Sequence, residues 1–126
     1  MKRTAIIAIG LMGAIGAATA QPLDVPVMIG AEADLDACTG VGRIARLDPN
    51  GDGFLAVRRG PEAGYAKIDE LYNNDVVTIC DENGGWYGIV YGQNCGTSSP
   101  VPRPMAYSGP CRNGWVYGRY VDYIAG

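Results

Sequence analysis

Turn-forming residues break this chain into pieces too short for helices. Beyond Val41, clusters of Gly, Asn, Asp and Pro recur at Asp48–Gly53, Arg59–Lys67, Asn73–Asp75 and Asp81–Gly85. Glycine adopts the left-handed backbone that tight turns need, and Asn and Asp bond their own backbone there, so each cluster marks a chain reversal. The pieces between them are Val41–Leu47, Phe54–Arg58, Ile68–Tyr72, Val76–Cys80, Trp86–Tyr91 and Gly114–Tyr117. Short strands at such close spacing predict an all-β domain, a small barrel or sandwich. Neighbours along a strand face opposite sides. If Trp86 faces out, Tyr87 faces in; Trp115 and Tyr117 share a face and Val116 takes the other. Leu55, Val57, Ile68, Leu71, Val77, Ile79, Ile89 and Val116 are expected to supply much of the core.

A chain of 126 residues holds one small domain. All its aromatic residues lie between Phe54 and Tyr123, which puts that domain in the C-terminal two-thirds. With 48% apolar residues and a formal charge of −3, the chain is too apolar for a disordered tail, and its charge argues against a nucleic-acid partner. Histidine is absent, which removes the commonest general base and the commonest metal ligand.

The N-terminus reads as a signal peptide over residues 1–20. Lys2 and Arg3 precede an uncharged run of Ala, Ile, Gly, Leu and Met, and Ala18-Thr19-Ala20 offers small residues for cleavage after Ala20. The run falls short of the roughly 20 residues that a membrane span needs, so no stable membrane insertion is expected after cleavage. The chain is then expected in the periplasm or secreted. Residues 21–40 carry two prolines, Asp24, Glu32, Asp34 and Asp36 and no basic residue, and read as an acidic, mostly flexible leader. The domain itself is assigned to 41–124.

Cys38, Cys80, Cys95 and Cys111 all lie beyond the cleavage point. An even number in a small exported domain reads as two disulfides, and the spacings lack the close pairs of a zinc site. Asp48-Pro-Asn-Gly-Asp-Gly53 imitates the front half of a calcium-binding loop. The twelfth position, which must be a bidentate acid, is Arg59, so the stretch reads as a turn. No metal and no cofactor are expected.

The order of segments resembles a bacterial SH3 (Src homology 3) domain. Leu55–Tyr65 (LAVRRGPEAGY) resembles that family's strand leading into its first long loop. Ile68–Leu71 resembles the strand before the diverging turn, and Gly84–Tyr87 (GGWY) the opening of the third strand. Gly114–Val121 (GWVYGRYV) resembles the last strand, a single helical turn and the closing residue pair. The resemblance implies an SH3-like barrel of five to six short antiparallel strands with one 3-10 turn near the C-terminus. Between the third and fourth strands sits an insertion, Gly92–Asn113, long for a barrel loop. Trp86 and Tyr120 match two aromatics of polyproline-gripping SH3 domains. Tyr117 stands where those domains have proline, and the first loop lacks their acidic cluster.

The resemblance further implies an exported, non-enzymatic binding module for a cell-wall peptide or glycan, or for an envelope protein. The expected surface gathers Tyr65, Trp86, Tyr117 and Tyr120 near the first loop with Arg59. Arg58, Arg59 and Arg119 have Asp69, Glu62 and Asp122 as candidate ion-pair partners. Catalysis has little support: the serines of the insertion lack a histidine, and oxidised cysteines are not nucleophiles. The alternative is a partner-specific inhibitor or envelope-assembly protein that binds through 92–113.

Strand geometry selects among the three possible cysteine pairings. With Tyr91 roughly opposite Gly114, continuing the hairpin outward brings Cys95 to Cys111 at the base of the insertion. Cys80 and Cys95 lie too far apart along the chain to meet within about 7 Å unless the loop folds far back. That leaves Cys38–Cys80, which fastens the start of the domain to the second-strand ladder.

Overall fold

The computed structural model describes residues 22–126; the expected signal peptide lies outside the described residues. The turn clusters reverse the chain where the sequence places them. Strands β1 (Met28–Ile29), β2 (Gly40–Ile44), β3 (Leu55–Arg58), β4 (Lys67–Leu71), β5 (Val76–Asn83), β6 (Trp86–Tyr91), β7 (Met105–Ala106), β8 (Arg112–Tyr117) and β9 (Val121–Ala125) are joined by turns and one 3-10 turn, Gly118–Tyr120. Seven of them form an antiparallel sheet in the order β4-β3-β8-β6-β5-β2-β9, and β1 pairs with β7 in a separate ribbon. The seventh sheet strand, β9, extends what the sequence offers as a closing residue pair into five residues paired with β2.

The barrel core consists of Ile44, Leu47, Leu55, Val57, Leu71, Val77, Ile79, Ile89, Val116 and Val121. Seven of the eight expected core residues are buried. Ile68 is not: it is 39% exposed on β4, an edge strand of the sheet. Tyr87 packs against this core, while Trp86 on the opposite side of the same strand is half-buried. The β5–β6 turn has Gly84 at φ 58° and Gly85 at φ 86°. Two consecutive positive φ values suit the right-handed twist of a hairpin and favour glycine.

Residues 22–40 depart from the expected flexible leader. Val27 is 1% exposed, and Ile29, Ala37 and Cys38 are buried. The segment runs over the outer face of the barrel. The Trp115 indole N–H donates to the Val25 carbonyl at 2.8 Å, and the Tyr107 amide donates to Val27. Val27 lies over Gly88, where an added Cβ would come within 2.8 Å of Asp81 Cβ and 3.1 Å of a Val27 methyl. Trp115 and Tyr117 do share a face of β8, but the leader covers Trp115 to 1% exposure and leaves Tyr117 open at 43%. An acidic composition conceals four buried apolar residues whose partners lie elsewhere in the chain.

Insertion and leader make a second small core. Ile29, Ala37 and Cys38 meet Cys80, Val101, Met105 and Tyr107. Both disulfides form in the expected pairing, Cys38–Cys80 with Cα atoms 4.5 Å apart and Cys95–Cys111 with Cα atoms 5.2 Å apart. The register behind the second is two residues from the expected one. Ile89 pairs with Gly114, and Tyr91 with Arg112. Positive φ at Gly92, Asn94 and Gly96 then bends the chain so that Cys95 still reaches Cys111.

Candidate ligand groove

Trp86 opens β6 and Tyr117 closes β8, and the two are direct cross-strand partners. Their ring centroids lie 5.5 Å apart at 45°. The chain then enters the 3-10 turn, whose Gly118 amide donates to the Gly85 carbonyl at 2.9 Å. That bond brings the turn against the β5–β6 hairpin and sets Tyr120 6.2 Å from Tyr117 at 63°. Tyr120 is fixed further by its carbonyl, which accepts from the Ala45 amide. Three rings therefore follow one another along one side of a groove of about 580 Å³.

Leu47, Leu55 and Ala56 also line this groove, with Phe54 beneath the Lys67 ammonium, which lies 4.5 Å from its ring centroid. Lys67 also pairs with Glu70, and Arg46 with Asp122. Asp48 and Asp52 reach the groove from the turn that imitates a calcium loop. In that turn the Asp48 carboxylate accepts the Asn50 amide at 2.8 Å. Among the described residues no group of three or more His, Cys, Asp or Glu is gathered to hold a metal ion.

Three of the five expected site residues come together: Trp86, Tyr117 and Tyr120. Arg59 and Tyr65 do not line the groove. Strand alternation turns Arg58 toward it, with one guanidinium nitrogen donating to the Tyr65 carbonyl at 3.0 Å. Arg59 faces the leader, where it pairs with Asp24 at 3.3 Å and its carbonyl accepts the Asp24 and Val25 amides. The Tyr65 ring lies against Gly60, where an added Cβ would approach it to 2.6 Å. Of the two adjacent arginines, Arg58 lines the groove and Arg59, the one expected there from sequence, does not. The alternation that buries Leu55 and Val57 carries the signal that Ala56 and Arg58 share the other face. In the sequence Asp48 and Asp52 read only as cation ligands; their approach to the aromatic groove follows from the tertiary path of the turn.

A second polar cluster lies at the other end of the β6–β8 hairpin. Asp69 accepts the Tyr91 hydroxyl at 2.8 Å and the Arg112 guanidinium at 3.0 Å. Burial pushes the Asp69 carboxyl up, but the Glu70 amide, Tyr91 and Arg112 outweigh it and hold the group below the usual carboxylate value. Burial and the Asp69 carboxylate push the Tyr91 phenol well above its ordinary range, so it stays a donor. Among the ion pairs expected from sequence, Asp69 takes Arg112 and Asp122 takes Arg46 in place of Arg58, Arg59 or Arg119.

A seven-stranded barrel with an aromatic groove beside its 3-10 turn is the architecture of a small SH3-like binding domain. The bacterial SH3 domain family matches residues 53–122, more than half of the chain, and the chain belongs to that family. No curated protein and no solved structure matches the chain. The family is one of binding modules.

Proposed function

We propose that this protein is an exported, non-enzymatic module that captures a peptide of the cell envelope in the Trp86–Tyr117–Tyr120 groove. The carrying observation is the series of three rings set 5.5 and 6.2 Å apart beside Arg58. Aromatic rings give large contact area at small entropy cost, and arginine adds bidentate recognition of a carboxylate. The tilts of 45° and 63° favour peptide over glycan. Tilted rings make notches for aliphatic side chains, whereas a sugar chain stacks best on a flat platform. Export is supported by the signal-like residues 1–20 and by the two disulfides, which persist in oxidising compartments.

Cosedimentation with purified peptidoglycan tests the reading. Trp86→Ala with Tyr120→Ala is expected to weaken capture at least tenfold while lowering the melting temperature by only a few degrees. Capture of glycan strands stripped of their peptides, at undiminished affinity, would assign the groove to sugar.

A further inference from the structure

We propose that Asn83, in the β5–β6 hairpin, is a site of spontaneous modification: its side-chain amide is lost as ammonia, the chain is relinked through an isoaspartyl bond, and that bond loosens the aromatic groove. The only co-reactant is water. The effect on ligand capture rests on the groove reading above, whereas the site itself stands without it.

The chain holds three Asn-Gly steps, at Asn50, Asn83 and Asn113. Such steps are reactive because glycine has no side chain to shield its own amide nitrogen. That nitrogen, on losing its proton, attacks the asparagine Cγ. A C–N bond forms, the bond from Cγ to the side-chain nitrogen breaks, and ammonia leaves with a proton. Water then opens the five-membered ring. Cleavage between the nitrogen and Cγ gives ordinary aspartate. Cleavage between the nitrogen and the backbone carbonyl carbon leaves the chain running through Cγ, with one extra carbon in the backbone. Nothing is oxidised or reduced.

The fold sorts the three steps. Attack needs a free glycine amide and a peptide plane able to rotate. The Gly51 amide donates to the Asp48 carbonyl at 3.0 Å and the Asn50 amide to the Asp48 carboxylate at 2.8 Å, so that step is tied on both sides. Asn113 and Gly114 lie within β8, opposite Val90 and Ile89 of β6. Gly114 is buried, and an added Cβ there would come within 2.4 Å of a Val57 methyl and 3.1 Å of the Arg58 carbonyl. Asn83 differs on each count. It is exposed and forms the last rung of its ladder, opposite Trp86. The Gly84 amide has no backbone partner among the described residues. Beyond their chain neighbours, nothing lies within 4 Å of an added Cβ at Gly84 or Gly85. Open space and two permissive glycines let the peptide plane turn whenever the hairpin end frays.

An extra backbone carbon is badly placed in this hairpin. The two-residue loop matches the twist of β5 and β6 with Gly84 at φ 58° and Gly85 at φ 86°. The Gly85 carbonyl accepts the Gly118 amide at 2.9 Å and so holds the 3-10 turn that carries Tyr120. Lengthening the chain at Asn83 displaces that carbonyl and shifts Trp86 against its cross-strand partner Tyr117. Asn83 does not line the groove, so the change acts through the backbone and not through contact with ligand.

Peptide mapping of the full, disulfide-bonded protein, aged in warm, mildly alkaline buffer, tests this. Conversion is expected at Asn83, with Asn50 and Asn113 slower by about tenfold or more. The reduced, urea-unfolded chain is expected to convert at all three. Conversion led by Asn50 or Asn113 in the folded protein, or an intact Asn83 under conditions that convert the unfolded chain, overturns the proposal. The isoaspartyl fraction is then compared with fresh protein and with Asn83→Asp, which carries the same charge on a backbone of normal length. A shifted Trp86 indole NMR signal and a several-fold loss of peptidoglycan capture are expected in the isoaspartyl fraction alone. An unmoved Trp86 signal in that fraction overturns the link to the groove. Asn83→Gln is expected to keep its capture through the same ageing, and loss at the unsubstituted rate counts against the proposal. Fresh protein that captures no peptidoglycan would sink the groove reading, while the mapping and the Trp86 signal would still decide the fate of Asn83.

Discussion

The barrel and the cap of leader and insertion are stabilised by different means. The barrel buries ten apolar side chains, nine from seven strands scattered along the chain and Leu47 from the turn after β2. The cap buries only Val27, Ile29, Ala37 and Cys38 among its apolar residues, with a few partly buried neighbours, and its ribbon is two residues long on each side. A two-stranded ribbon with so little apolar area is at best marginal in water. Two disulfides supply what burial does not: one joins cap to barrel and the other closes the insertion. The difference shows that a family fold can accept a long insertion provided that the insertion is cross-linked and seated on an existing face. Here the seat is Gly88 and Trp115.

Removing the cross-link between the regions separates them most strongly. Cys38→Ala with Cys80→Ala is expected to lower stability by about 4 kcal/mol on chain-entropy reasoning. Hydrogen exchange should speed up at Val27–Ile29 and Met105–Tyr107 well before β6. Ile89→Ala, by contrast, is expected to cost about 3 kcal/mol and to lower protection in both regions together, because the cap has no footing without the barrel. Equal loss of protection everywhere in the cysteine variant would merge the two regions into one cooperative unit.

A smaller change sharpens the same boundary. Gly88→Ala places a methyl where Val27 and Asp81 already stand, and is expected to cost about 2 kcal/mol through overpacking. Trp115 fluorescence should shift to the red as the leader lifts. An unshifted spectrum would mean that the leader does not depend on this seat.

The smallest expected effect concerns the seam, where Asp69 of β4 meets Tyr91 and Arg112 near the root of the insertion. The Asp69 carboxyl is held below its ordinary value. Its contribution is therefore present above about pH 4 and lost as the pH falls through the lowered folded value. Urea midpoints measured from pH 6 to pH 3 should fall less steeply for Asp69→Asn than for the unsubstituted chain. Parallel curves would remove Asp69 from the acid response.

Local pattern made most of the barrel legible. Alternation identified Val57, Val77, Ile89 and Val116 as core, and the Asn83-Gly-Gly85 turn marks the hairpin that sets Trp86 beside Tyr117. Ile68 is exposed because it lies an odd three residues from the buried Leu71 and is left unpaired at the bulge opposite Val57 and Arg58, so the strand's own phase turns it outward. The cap was less legible because its pattern is not local. Val27 and Ile29 sit in an acidic, proline-containing stretch, and their partners lie at Gly88 and Met105. The disulfide pairing came out right although the assumed register was off by two residues, since three left-handed residues between Gly92 and Gly96 absorb the difference. In the groove Trp86 and Tyr120 follow from the family pattern, whereas Tyr117 stands where that pattern has proline. Arg58 in place of Arg59 required the strand's phase to be applied one residue further.

Residue-resolved NMR titration of the labelled protein with soluble peptidoglycan peptides bears most directly on the groove as the binding surface. Chemical-shift changes are expected to concentrate at Arg58, Trp86, Tyr117 and Tyr120 and to leave Ile29, Ala37 and Val101 unmoved. Changes concentrated on the cap, with the aromatic groove silent, would contradict the account and make the insertion the binding element.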